Sequence, residues 1–189
     1  MKKFELTAEF VTNVFGKKLF RIKALVAFGD VEKGELGGFI EKEDNLSHDG
    51  NAWVSGTAQV SGNAQVSGNA RVSGTAWVSG TAWVSGNAQV SGNARVSGTA
   101  RVSGTAWVSG TARVSGDADY AVVAGFGRYF RTTTFFRCKD KILRVQCGCF
   151  YGDLAQFREI VKKTHGDSKY AKEYLAIADL MELHFSDEC

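Results

Sequence analysis

The residues best equipped for chemistry lie in the last third of the chain. All four cysteines (Cys138, Cys147, Cys149 and Cys189) fall there, together with His165. Cys147 and Cys149 are two apart, so a strand carrying both would turn them to one face. With Cys138 on a partner strand and His165 nearby, that set would make a Cys/His zinc site or a Cys–His nucleophile pair. Yet no Cys-x-x-Cys spacing is present. A helix-end histidine and buried, reduced strand cysteines account for the same residues without a reaction. The expectation is no metal, no cofactor and no catalytic residue.

A second set of residues is suited to binding. Trp77, Trp83, Trp107, Arg95, Arg101 and Arg113 all occupy the x position of one unit, Gly-(Asn/Thr/Asp)-Ala-x-(Val/Tyr)-(Ser/Ala). Twelve copies run without insertion from Gly50 to Ala121. Exposed Trp and Arg are the usual anchors of interfaces, which makes these six the candidate partner-binding residues.

The unit also says what must position them. It has one aliphatic position, one small position and a Ser-Gly-Asn or Ser-Gly-Thr corner that tolerates unusual backbone angles. A tandem period this short means a solenoid. Each unit reads as one short strand and one corner, and three units close a triangular coil. Four coils then stack to about 19 Å at the usual strand spacing. Outward residues eighteen apart fall into ladders: Trp53, Arg71, Gln89, Trp107; then Gln59, Trp77, Arg95, Arg113; then Gln65, Trp83, Arg101, Asp119. Trp77 with Arg95, and Trp83 with Arg101, are spaced for stacking worth about 0.5–1 kcal/mol per pair. Two readings of the ladders stay open: a sheath over a thin Val/Ala core, or a binding surface.

With Val54 or Val60 placed inside a face and Ala58 or Ala64 near a corner, the pattern resembles the hexapeptide-repeat left-handed parallel β-helix. That likeness implies a mainly β triangular solenoid and leaves function open. Acyltransferases of this class take a general base from a histidine on or near the coils and form the acceptor site with extruded loops, but these coils have neither. The γ-type carbonic anhydrases of the same class need three histidine ligands, whereas His48, His165 and His184 lie toward opposite ends of the chain. A regular Thr array of the ice-binding kind is also missing, because Asn interrupts Thr57, Thr75 and Thr81.

Residues 1–49 read as an N-terminal β cap. Phe4–Leu6 and Leu19–Leu25 alternate like strands around a turn at Asn13–Gly16. Ile40 and Leu46 stand six apart, and Leu46-Ser47 mimics the Val-Ser of the repeat, which points to a partial coil before Gly50. Residues 122–189 read as a ββαα module, with a hairpin over 131–139 and 142–148 and two helices. The first helix starts at Asp153 with a capping box to Gln156, and the second at Asp167 or Ser168. Gly34-Glu35-Leu36-Gly37-Gly38-Phe39-Ile40 is similar to the leader of phage and prophage hexapeptide proteins. Cys147-Gly148-Cys149-Phe150 and His165-Gly166-Asp167 resemble their C-terminal module.

Apolar content of 44% excludes disorder as the main state, and a net charge of +3 leaves no strong electrostatic footprint for nucleic acid. Lys2 and Lys3 lead into Glu5 and Glu9 rather than an apolar run, and no stretch reaches the length of a membrane span, so a cytoplasmic location is expected. The resemblance and the lack of reactive groups together point to a non-enzymatic phage-type binder. An inhibitor of host defence such as an anti-CRISPR, occupying a host protein or ribonucleoprotein complex with nucleic acid as a further partner, fits that description. The alternative is a self-assembling structural protein using the C-terminal module to oligomerise.

Overall fold

The computed structural model describes residues 1–186, so Cys189 lies outside the described residues. Its centre is set by the corners. In every unit from Gly50 to Gly110 the glycine adopts a φ between +59° and +71°, a region that costs other L-residues about 1–2 kcal/mol. Within each corner from Ala58 to Ala112 the Ala amide donates to the preceding Ser carbonyl, as in Ala58 N to Ser55 O at 3.3 Å. The chain thus turns every six residues, leaving room for a two-residue strand between corners.

Those strands are β4 to β14, the first Trp53–Val54 and the last Arg113–Val114. They pair in parallel with the strand eighteen residues on, giving Val54–Val72–Val90–Val108, Val60–Val78–Val96–Val114 and Val66–Val84–Val102. Three flat walls result. Each inward Val from Val54 to Val114 and each Ala from Ala52 to Ala112 is fully buried. The architecture is a three-walled β-solenoid, with the outward ladders in the predicted order except that the third ends at Arg101, Asp119 lying in a 3₁₀ turn instead of on the wall.

Strands β1 (Phe4–Thr12), β2 (Lys18–Ala24) and β3 (Leu36–Ile40) form the N-terminal end. Antiparallel β1 and β2 lead to β3, whose Ile40 pairs in parallel with Val60, while Leu46 bridges to Val66. Ile40 and Leu46 are buried, completing the expected partial coil. The Lys3 ammonium donates to the carbonyls of Gly50 (3.3 Å) and Ala52 (2.9 Å). Trp53 departs from its expected place on an open ladder. It is only 1% exposed, with Phe28 packed edge-on at 5.4 Å, so the cap has covered the first rung of its wall.

The twelfth unit also departs from expectation. Gly116 is extended, Asp117–Asp119 form one 3₁₀ turn, and Ala118 is exposed. Asp117 Oδ1 accepts the Arg101 amide at 2.8 Å, and Asp119 Oδ2 accepts those of Ser115 and Gly116 at 2.7 and 3.1 Å. The Arg101 amide, which a further rung's carbonyl would have taken, is satisfied by a side chain, and parallel winding stops. The next strand, β15 (Tyr120–Phe126), instead pairs antiparallel with β16 (Arg131–Arg137), followed by β17 (Leu143–Cys147) and β18 (Phe150–Asp153). The C-terminal part therefore has four strands where the sequence suggested two. Two helices follow, α1 (Leu154–His165) and α2 (Lys169–His184). The capping box at Asp153 and Gln156 is made, and Ser168 caps α2.

Strand alternation on β16 joins two cores. Phe135 enters a cluster with Val145, Phe157 and Tyr174, while Phe136 enters the solenoid core beside Cys138. β16 lies over the last coil: the Thr134 hydroxyl accepts the Trp107 amide at 3.0 Å, and Ala112 bridges to Cys138. An open solenoid end is a row of unpaired strand groups, and this module covers it. Among the described residues no helix is long and apolar enough to cross a membrane.

Candidate functional site

The six candidate residues are divided among three walls. Trp77, Arg95 and Arg113 share one, Trp83 and Arg101 the next, and Trp107 the third. On the first of these, the Arg95 guanidinium lies 4.6 Å from the Trp77 ring centroid; on the next, Arg101 lies 5.8 Å from that of Trp83. Both arginines are exposed, Trp83 is half exposed, and neither Arg95 nor Arg101 makes an ion pair among the described residues. Each guanidinium lies over an indole and remains exposed to solvent. Two flat cationic sites on a rigid scaffold are suited to carboxylates or phosphates.

Arg113 behaves differently. Its Nη1 donates to the carbonyls of Ala112 (3.0 Å), Asn93 (3.2 Å) and Thr111 (3.4 Å). Burial, followed by repulsion from Arg95, holds its basicity below the usual arginine value. It braces the last corner more than it offers a charge. Arg71 is likewise taken, by an ion pair with Asp30 from the N-terminal cap. Trp107 remains exposed above Gln89, close to the C-terminal module.

The cysteines do not share a strand face as expected. Cys147 ends β17, and Gly148, with φ +57°, begins a two-residue turn that places Cys149 outside the strand. The sequence signal for one face fails because glycine turns the chain there. Cys147 and Cys149 nevertheless line one cavity with His165. No group of three metal-ligating side chains is assembled among the described residues.

That cavity, of about 210 Å³, is walled by Phe150, Phe157, Ile160, Val161 and Tyr174, with Arg128, Tyr129 and Arg131 at its margin. Arg128 and Arg131 both lie over the Tyr129 ring, at 5.5 and 5.0 Å. The sequence reading missed this site. Its signal was the run Arg128-Tyr129-Phe130-Arg131, two cations flanking two aromatics in a turn.

Residues 64–80 and 88–104 match a family model described as the YdcK beta solenoid repeat. Over those stretches the coils are similar to that β-solenoid repeat. Both matched stretches lie between the caps, and include Trp77 and Arg95 on one wall and Arg101 on another. No curated protein matches the chain.

Proposed function

We propose that this β-solenoid protein is a non-enzymatic binder that grips an anionic face of a macromolecular partner. The observation that supports it is the pair of exposed, indole-backed guanidiniums, Arg95 on Trp77 and Arg101 on Trp83, without acidic partners among the described residues. Their weight as anchors follows from stacking that removes side-chain freedom before the partner arrives.

The finer reading is a left-handed hexapeptide β-helix of phage type that inhibits a host defence system, such as an anti-CRISPR acting on a ribonucleoprotein complex. It rests on the likeness of the leader and C-terminal segments to phage and prophage proteins and on the lack of a catalytic group in the coils. A cytoplasmic site of action in the host belongs to the same reading. The test is capture from CRISPR-bearing cells by the protein and by a variant with Trp77, Trp83, Arg95 and Arg101 changed to Ala. Recovery of a host complex by the parent alone, at matched thermal stability, supports the proposal. Recovery of no partner by either protein overturns it. If the partner is nucleic acid, affinity falls steeply with salt.

A second reading, self-assembly through the C-terminal module, draws on α2, where Ala176, Leu180 and Leu183 form an exposed stripe at helical spacing. Of the module's aromatics, Phe130 and Tyr151 are exposed and available to such a contact, whereas Phe135 and Phe136 are fully buried.

A further inference from the structure

The cavity between the C-terminal sheet and α1 has two unlike parts. Its walls are mainly aromatic and aliphatic, with Phe157, Val161 and Tyr174 each less than a tenth exposed, and they also carry Cys147, Cys149, Thr164 and His165. Its margin is cationic: Arg128 and Arg131 lean on Tyr129, and Arg131 reaches the turn at Gly148, its Nη1 2.8 Å from where a Cβ would stand there. Among the described residues neither guanidinium has an ion-pair partner. The nearby carboxylate of Glu173 is engaged elsewhere, accepting the Gly127 amide at 2.9 Å and meeting Lys169 at 3.5 Å.

Size restricts the occupant. A dry apolar cavity of about 150 Å³ holds one benzene ring, and drug-sized ligands use roughly 300–1,000 Å³. At about 210 Å³ this open-sided cavity can seat one ring and a short arm. Charge restricts it further, because two unpaired guanidiniums at the margin select an anion and their planar donor edges match a carboxylate.

We infer that this cavity is a binding site for a small aryl carboxylate, the ring seated among Phe150, Phe157, Ile160 and Val161 and the acid held by Arg128 and Arg131. It lies in the C-terminal module and is independent of the Trp/Arg walls. The same chemistry is presented by a free aryl acid and by a chain-terminal phenylalanine.

Methyl NMR of the full chain provides the test, with phenylacetate, its uncharged amide and the dipeptide Gly-Phe as probes. Phenylacetate is expected to shift the Ile160 and Val161 methyls saturably, with a dissociation constant on the order of 1 mM for so small a ligand. The amide should bind at least about tenfold more weakly, as loss of a charge-assisted hydrogen bond implies. Tighter binding by either acid supports the site and names its source. Arg128→Gln with Arg131→Gln should bring phenylacetate down to the level of the amide, and Ile160→Trp should fill the cavity and abolish binding. Equal binding of acid and amide to the parent, or absence of saturable shifts at these methyls, overturns the proposal without reliance on any variant.

Discussion

Arg95 stands one rung above Trp77 on the same wall, its guanidinium 4.6 Å from the indole centroid, because eighteen residues separate them and eighteen residues make one coil. The pair is outside the Val/Ala core. Replacing either residue with Ala is therefore expected to change unfolding free energy by no more than about 1 kcal/mol, the value of an exposed cation–π contact. Urea unfolding of Trp77→Ala and Arg95→Ala measures it. A loss of several kcal/mol would make the ladder a sheath for the core and remove the reason to read it as a binding surface.

Corner glycines differ in what surrounds them. A Cβ at Gly80 (φ +71°) would stand 2.9 Å from both the amide nitrogen and the carbonyl oxygen of Gly98, whereas one at Gly104 (φ +66°) meets nothing within 4 Å. Gly104→Ala should cost only the left-handed backbone penalty, about 1–2 kcal/mol. Gly80→Ala adds a clash with backbone that two coils hold in place, so its loss should be clearly larger. Equal midpoints in denaturant for the two variants would show that coil stacking does not constrain the corners.

The C-terminal module covers the last coil through β16. Removing residues 116–189 takes away the Asp117 and Asp119 carboxylates, the Thr134 hydroxyl on Trp107 and the Phe136 side chain, leaving strand edges and an apolar opening. Concentration-dependent association is the expected result, read by sedimentation. A monomer at all concentrations would mean that the final coil is blunted without a lid. In the full chain, Phe136→Ala should destabilise by about 3–5 kcal/mol, as for a fully buried ring.

The solenoid was legible because its period is redundant: register, walls and ladder order all follow from one spacing repeated from Gly50 to Gly110. The ends were less so. Asp117 and Asp119 keep the sixfold spacing of the repeat while their carboxylates terminate it, a distinction made by side-chain hydrogen bonds to Arg101 and Ser115 rather than by pattern. Strand β15 was hidden for the same reason, since Tyr120 stands where the repeat places Val. Trp53 shares its ladder position with Trp107, and only the packing of Phe28 separates a buried residue from an exposed one. The C-terminal cavity draws its parts from β16, β17, β18, α1, α2 and two turns, so no local spacing announced it.

Two buried groups make stability depend on alkaline pH in opposite directions. Burial, partly opposed by Asp49, pushes the Lys3 ammonium down from 10.5 to about 8. Between those values the unfolded chain binds more protons than the folded one, so stability should rise as pH increases from 8 toward 10.5. Tyr174 does the reverse. Burial first, and then the neighbouring Cys147, push its phenol up from 10 to about 12. Its contribution is complete below pH 10 and lost as pH rises through 12, because the unfolded phenol ionises first. Urea titrations at fixed pH steps should show the parent gaining on Lys3→Met between pH 8 and 10, and losing ground to Tyr174→Phe above pH 10. A gap to Lys3→Met that stays constant across the first window would place the Lys3 ammonium in contact with water rather than under the N-terminal cap.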